Sequence, residues 1–411
     1  MISRQLSGLV AVALLAASPQ VVAQIAPPPG TTARARSTTA PVQGGFTATP
    51  FVSLSTTYDD NLFLSTTNRQ SDTILSVAPG ALLDYHSRRT DFNLLYSFSA
   101  DKFFHHSDLD SLVDEQQGTI GLHHQFTRRL ELGFTGGYFV THSPGQLSPE
   151  SGLIVGRNRA TNTTLQPELA YDLSATSSMR LSYLRSWRNI ATGDKVQIGT
   201  AAAAYTNRFS ERNAIQFTLQ NVSYNFSNDG SPTSNILTAG WTHDFSPTTS
   251  ITLGGGPRVT EGNVKPEVLA SLNYASRRTT FALTYQRTQT VVIGETEPLE
   301  TRSISAAFGF TPARHFTIGF SPSYHRNNGA SITAKGWNLG FYTWYRFAPA
   351  WSLGLTYSYE HQRETVNGGP SGTIQRNLVS LTLRWQLPSR GSELQIVPPP
   401  TAGPGPGPRG G

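Results

Sequence analysis

The sequence predicts an all-β protein: a transmembrane, antiparallel, up-and-down β-barrel of about eighteen strands, with sixteen as the lower count. Three observations predict it. The segments Leu82–Tyr96 and Ser271–Tyr285 repeat one unit, with an apolar residue at every second position on either side of a Ser-Arg-Arg-Thr turn. Period two marks strands with unlike faces, and the short turn makes each copy a hairpin. A shorter copy runs from Leu122 to Phe134 around Thr127-Arg128-Arg129. The second observation is an export signal at the start of the chain. The third is that no segment approaches the roughly 18 apolar residues of a membrane helix.

Taken in order, residues 1–23 read as a signal peptide. Arg4 supplies the positive start, Gly8–Ala17 the short apolar stretch, and Val21-Val22-Ala23 the small-residue cleavage site. Residues 24–48 are rich in Pro, Thr, Ala and Arg and are expected to form a disordered periplasmic segment. The barrel is expected over 49–387. The tail, 388–411, is Pro/Gly-rich and expected to be disordered. With 0 cysteines there is neither a disulfide framework nor a lipoprotein anchor. The net charge of +6 is scattered over turns and strand ends, a distribution that excludes a nucleic-acid partner.

Between 49 and 387 the rhythm is regular. Short polar turns fall at Ser87–Arg89, Thr127–Arg129, Ser174–Ser177, Ser210–Arg212, Ser246–Thr249, Ser276–Arg278, Thr311–Arg314 and Ala348–Ala350. Together with a first strand at Pro50–Tyr58 and a last at Arg376–Leu387, they give about eighteen strands with both termini at the short-turn, periplasmic rim. Faces follow from parity. Leu353, Leu355, Tyr357 and Tyr359 share one side of Trp351–Glu360; Ser352, Gly354, Thr356, Ser358 and Glu360 share the other. Aromatic residues gather towards the ends of the apolar face, as girdles do at membrane interfaces. Val379, Leu381, Leu383 and Trp385 give the last strand the same alternation.

The lumen face reads as mostly Ser, Thr, Gly, Gln and Asn. Its charged members are expected to be Arg180, Arg188, Arg376 and Arg384 against Asp101, Glu131 and Glu360. The longest outer loops are Phe103–Gly118 and His142–Arg157, which look too short to plug so wide a barrel. They imply an open pore with weak selectivity, tilted towards anions by the arginines. On the lipid side, Lys102, Arg185, Arg287 and Arg326 each follow an aromatic girdle residue on strands of one direction. They are expected to contact lipopolysaccharide phosphates.

No motif carries chemistry. His105-His106 and His123-His124 read as strand residues facing opposite ways, so neither pair offers both rings to one metal. Asp59-Asp60-Asn61 and Asp108-x-Asp110 have oxygen ligands but also ordinary turn chemistry. Gly254-Gly255-Gly256 sits mid-strand, where glycine relieves crowding or permits a bend. No catalytic residue, metal or cofactor is expected.

Tyr58-Asp59-Asp60-Asn61-Leu62-Phe63, followed by Ser71-Asp72-x-Ile74-x-x-Val77-x-Pro79-Gly80, is similar to segments of outer-membrane, porin-like β-barrels of the kind associated with exopolysaccharide loci. The resemblance implies a barrel in a Gram-negative outer membrane with a polysaccharide connection, and assigns no site residues. The expected function is a channel for passive diffusion of small hydrophilic solutes or for polysaccharide export. Its partners would be outer-membrane lipid, lipopolysaccharide, the barrel assembly machinery and polysaccharide export components. The alternatives are a structural barrel with an occluded lumen, or a barrel hydrolase.

Overall fold

The computed structural model describes residues 45–387, apart from 114, 149, 228–229, 293–294, 296, 330–331 and 367–370. The signal peptide, most of segment 24–48 and the tail lie outside the described residues. In chain order the strands are β1 (Gly45–Asp59), β2 (Asp72–His86), β3 (Thr90–Phe98), β4 (Ala100–Phe103), β5 (Gln116–Gln125), β6 (Leu130–Thr141), β7 (Ala160–Asp172), β8 (Ser177–Ile190), β9 (Lys195–Ser210) and β10 (Asn213–Phe226). They continue as β11 (Thr233–Ser246), β12 (Thr249–Thr260), β13 (Asn263–Ala275), β14 (Thr279–Thr290), β15 (Leu299–Ala313), β16 (Phe316–Asn328), β17 (Ile332–Ala348), β18 (Trp351–Val366) and β19 (Ser371–Gln386).

Both β3 and β4 pair with β2, so they are two halves of one crossing interrupted at Ser99. That leaves eighteen antiparallel crossings. Each strand pairs with its chain neighbours, and β1 also pairs with β19 from Phe51↔Gln386 to Asp59↔Leu378, which closes the sheet on itself. Closure leaves no strand edge, the condition for a sheet to sit in hydrocarbon. The first strand starts at Gly45, so four residues of the expected N-terminal segment are strand: Gly45–Ala48 pair with His86–Leu83.

The short turns join the strands at one rim, and both β1 and β19 have their free ends there. The repeated unit folds alike in its two copies. Ser87 Oγ accepts from Thr90 N at 2.9 Å and Ser276 Oγ from Thr279 N at 3.0 Å, and each hydroxyl donates back to its threonine carbonyl. A serine hydroxyl closing its own turn lets the two strands leave antiparallel within two residues. The turn expected at Thr311–Arg314 lies slightly later, because β15 continues to Ala313 through a register shift.

The faces are inverted relative to a soluble sandwich. Leu353, Leu355 and Tyr357 point outward at 39%, 40% and 38% exposure, whereas Ser352 and Glu360 point inward at 9% and 6%. Burying hydroxyls and charges while exposing a belt of Leu, Phe, Tyr and Trp would be ruinous in water, at about 25 cal/mol per Å² of apolar surface. In a bilayer that surface is solvated by acyl chains. Gly256 shows why the glycine run lies in β12: a Cβ there would be 1.9 Å from the Leu237 carbonyl oxygen. The β11–β12 register skips that position.

Candidate functional site

The interior is built in two layers. In the half nearest the short turns, the inner face carries pairs that link adjacent strands. Arg180 Nε lies 3.2 Å from Glu168 Oε1, and His123 Nδ1 lies 3.2 Å from Glu131 Oε1. At the β1–β19 seam the Arg384 guanidinium stacks 4.1 Å above the Phe51 ring. In the half beyond, two segments of the chain enter the lumen.

The first is the connection from β6 to β7, residues 142–159. It turns through a short 3-10 helix, Pro144–Leu147, and then crosses to the opposite wall. There Ile154 N donates to Gln362 Oε1 at 2.6 Å, and Gln362 Nε2 donates back to Ile154 O at 3.0 Å. Asn327 Nδ2 donates to Ser151 O at 2.8 Å. Leu153 packs with Val292, Leu299, Ile332 and Ala334, while Ile154 packs with Leu64 and Ile374. Most of these partners sit on β15 to β19, with Val292 in the β14–β15 connection and Leu64 in the β1–β2 connection, across the lumen from β6. An eighteen-residue connection, at about 3.4 Å per extended residue, reaches roughly 30 Å out and back, enough to span the bore. Loop length therefore did not exclude a crossing, and the open interior expected from it is corrected: this loop lies across the lumen.

The second insert is the upper end of the β14–β15 hairpin. The β13–β14 ladder stops at Val268↔Arg287, but β14 continues to Thr290 and pairs with β15 as far as Leu299. Freed from β13, the tip leans onto the inner face of β9–β12. Val291 joins Val196, Ile198, Val222, Tyr224, Phe226 and Ile236 in a buried cluster. Gln289 Oε1 accepts from Ser234 Oγ at 2.8 Å. Behind the tip, Arg258 is paired with Glu267, and Glu300 is held by Arg287 Nε at 2.6 Å.

The two inserts meet at Arg188. Its guanidinium donates to Ser148 Oγ at 2.6 Å and to Val291 O at 3.0 Å, and Ser148 Oγ donates to Val291 O at 2.5 Å. Burial raises the pKa of the nearby loop residue Glu150, and the charge of Arg188 opposes that rise. At the base of the loop, burial, with Arg157 and Arg159 beside it, pushes the His142 imidazole down to about 4, so the ring is neutral at pH 7.

All seven charged lumen candidates are on the inner face, but few are free to meet a solute. Arg188 is 1% exposed beneath the loop. Arg376 bonds Asp59 in bidentate fashion, with Nε at 3.1 Å and Nη2 at 2.6 Å, and lies 3.7 Å from Glu360. Arg180 pairs with Glu168 and Glu131 with His123, as above. Asp101 bridges through its backbone to Ser111 at 2.8 Å. With three of the arginines occupied by carboxylates or by the loop, the expected tilt towards anions loses its basis.

Elsewhere two sequence expectations change. Asp59, Asp60 and Asn61 hold β19 through Arg376, Asn377 and the Gln375 carbonyl. His105 and His106 lie beyond the end of β4, so strand alternation does not apply; both Nδ1 atoms reach Asp72, at 3.2 and 2.8 Å. On β5 the alternation does hold, with His123 on Glu131 and His124 on Thr90 Oγ1 at 2.8 Å. No group of three or more metal-ligating side chains occurs among the described residues.

The sequence signal for the inserts was their apolar content. Leu147, Leu153, Ile154 and Val292 are out of place in water-facing loops, and such residues require a partner. Gly152 gives a test of the docking. It has φ +57°, and a Cβ there would lie 2.2 Å from the His325 ring. Gly152→Val is expected to detach the loop while leaving the barrel folded. The readout is new tryptic cleavage after Arg157 or Arg159, and an unchanged digest would contradict the docking.

A closed sheet, an apolar belt outside and polar residues within are now in place. The chain is a closed antiparallel β-barrel of eighteen crossings with its apolar belt outside. Its sequence matches no family model and no curated protein. Among solved structures it is similar to Pseudomonas aeruginosa OccK2 (OpdF), with 12% identity, 83% of this chain and 98% of that chain covered, and a TM-score of 0.48. It is also similar to Pseudomonas aeruginosa OpdQ, with 12% identity, coverage of 84% and 98%, and a TM-score of 0.47. For Acinetobacter baumannii OccAB4 the identity is 9%, coverage 83% and 98%, and the TM-score 0.45. The likeness is one of architecture alone.

Proposed function

We propose that this barrel is a passive channel for small hydrophilic solutes, narrowed where residues 142–159 cross its lumen. The crossing loop is the observation that carries the reading. It is pinned to the far wall by hydrogen bonds to Gln362 and Asn327, so it sets a size limit without closing off the hydroxyl-lined half below it. Eighteen strands otherwise enclose a wide aqueous bore. A loop fixed across that bore also weighs against passage of a long polysaccharide chain. Because Arg180 and Arg376 are paired with carboxylates and Arg188 is buried beneath the loop, selectivity between small cations and anions is expected to be weak. No catalytic step forms part of this reading.

Conductance of the purified full-length protein in a planar bilayer is the test. Discrete openings of low conductance support a narrowed channel. The second reading, a structural barrel with an occluded lumen, is favoured by the tight packing of both inserts around Arg188. It predicts a silent wild type that conducts only when the loop is removed.

Orientation belongs to the same proposal. Short turns and both strand termini share one rim, which we assign to the periplasm. Cysteines introduced at Arg88, Arg128 or Arg277 should then resist an impermeant thiol reagent in intact cells. Ready labelling would invert the topology.

A further inference from the structure

On the outer surface, strand register brings four cations into one row. Arg302 lies opposite Arg326, Arg326 opposite Lys335, and Lys335 opposite Arg363, so β15, β16, β17 and β18 each contribute one. They share parity with Ile304, Tyr324 and Trp337, which point outward at 44%, 44% and 37% exposure in the next row towards the membrane centre. Adjacent strands are about 4.8 Å apart, so the row extends over roughly 14 Å.

Like charges placed directly opposite each other destabilise a sheet. Here three such oppositions follow in succession, with a fourth where Arg287 of β14 faces Arg302, and the chain does little to relieve them. Glu300 lies 3.7 Å from Arg302, but it is already engaged by Arg287. The outward faces of β16, β17 and β18 contain no Asp or Glu between Phe316 and Thr365. A row of this kind calls for an external polyanion.

The row also displaces the expectation drawn from sequence. Of the four lipopolysaccharide candidates, Lys102 is paired with Asp110, Arg185 with Gln197 and Trp187, and Arg287 with Glu300 where the β14–β15 tip leaves the wall. Of that set Arg326 stands in the row, and Arg287, opposite Arg302 on β14, continues it but is engaged by Glu300. Sequence parity found the outward cations, but only register shows which of them stand side by side.

We propose that Arg302, Arg326, Lys335 and Arg363 bind the phosphates of an outer-leaflet glycolipid, the lipid A moiety of lipopolysaccharide. The depth fits. Aromatic residues mark the interface, and the cations stand one step beyond it, at the level of headgroup phosphates. Arginine takes phosphate oxygens bidentately, and the acyl chains would lie on the apolar face below. The assignment to the outer leaflet rests on the orientation proposed above; the phosphate-binding row itself does not.

The test uses the purified full-length barrel in detergent, with bisphosphorylated lipid A, dephosphorylated lipid A and phosphatidylglycerol as probes, and native mass spectrometry as readout. Combining Arg302→Gln, Arg326→Gln, Lys335→Gln and Arg363→Gln should weaken bisphosphorylated lipid A binding by roughly 100-fold, a few-fold for each cation. Replacing Arg88, Arg89, Arg277 and Arg278 at the opposite rim by Gln should leave it unchanged. A second readout separates binding from structure. Without lipid A the fourfold row variant should melt higher than wild type, because repulsion is relieved; with lipid A it should melt lower. Full retention of lipid A by that variant, or equally tight binding of phosphatidylglycerol, overturns the proposal. Neither measurement depends on orientation, so failed binding and an inverted topology in the thiol experiment are separate outcomes.

Discussion

Replacing Arg376 by alanine is expected to destabilise the barrel by about 3–5 kcal/mol, the usual cost of removing one partner from a buried ion pair. Asp59 is fully buried and takes two of its contacts from the Arg376 guanidinium, at 3.1 and 2.6 Å. Glu360, 3.7 Å away, is nearly as buried. The substitution leaves two carboxylates facing each other without a cation in a site that water hardly reaches. The loss should appear as a lower temperature for conversion from the folded to the unfolded band on a gel run with unheated and heated samples. Joint replacement by Asp59→Asn, Glu360→Gln and Arg376→Met should recover most of it, since an apolar and neutral set of similar volume is often as stable as the buried charges. A midpoint unchanged by Arg376→Ala would show that the triad contributes nothing.

Exchanging residues 144–154 for a short Gly/Ser linker is expected to raise single-channel conductance several-fold. The excised segment contains the hydrogen bonds to the far wall and most of the apolar contacts, from Ser148, Ser151, Leu153 and Ile154, and leaves only Val155 of the described loop residues against the Leu299 cluster. The wall itself does not depend on it, because the barrel ladders are continuous without the loop. Removal also takes out Glu150 and leaves Arg188 exposed to lumen water, where an arginine needs no partner. Conductance equal to that of wild type would show that the loop neither narrows nor closes the path, and would count against both readings; a silent wild type that conducts only after the exchange would favour the occluded one.

Much of the fold was legible because β-barrel patterning is local. Alternation at Trp351–Glu360 and the Ser-Arg-Arg-Thr turns fix faces and hairpins within a dozen residues, and neighbours in sequence are neighbours in the sheet. The interruption at Ser99 was not visible, since Phe98, Ala100 and Lys102 keep their common parity across it. The inserts were illegible for a different reason. Whether residues 142–159 stand in solvent or lie in the bore depends on Gln362, Asn327 and Leu299, more than a hundred residues away. Only their surplus of apolar side chains hinted at burial. The charged lumen residues were found by parity alone. Parity does not show that Arg376 meets Asp59 or that Arg188 is capped by Ser148, because those partners come from a loop and from the other end of the chain.

The pair Asp59–Arg376 also bears on how the cylinder is sealed. Of all the seams, β1–β19 joins the strands furthest apart in sequence, and it has no turn to fix its alignment. A slip of one residue would turn every side chain to the wrong side and be rejected by the bilayer, but a slip of two keeps polar inside and apolar outside. Alternation is blind to that error. Arg376 is not: moved by two positions it leaves the Asp59 carboxylate, and Asn377 leaves Asp60, which it now meets through its backbone N and its side-chain Nδ2, each at 2.6 Å. Thr57 would likewise lose the Ser380 hydroxyl at 2.9 Å. These contacts act as the teeth of a key, and they allow the last strand to lock against the first at one setting.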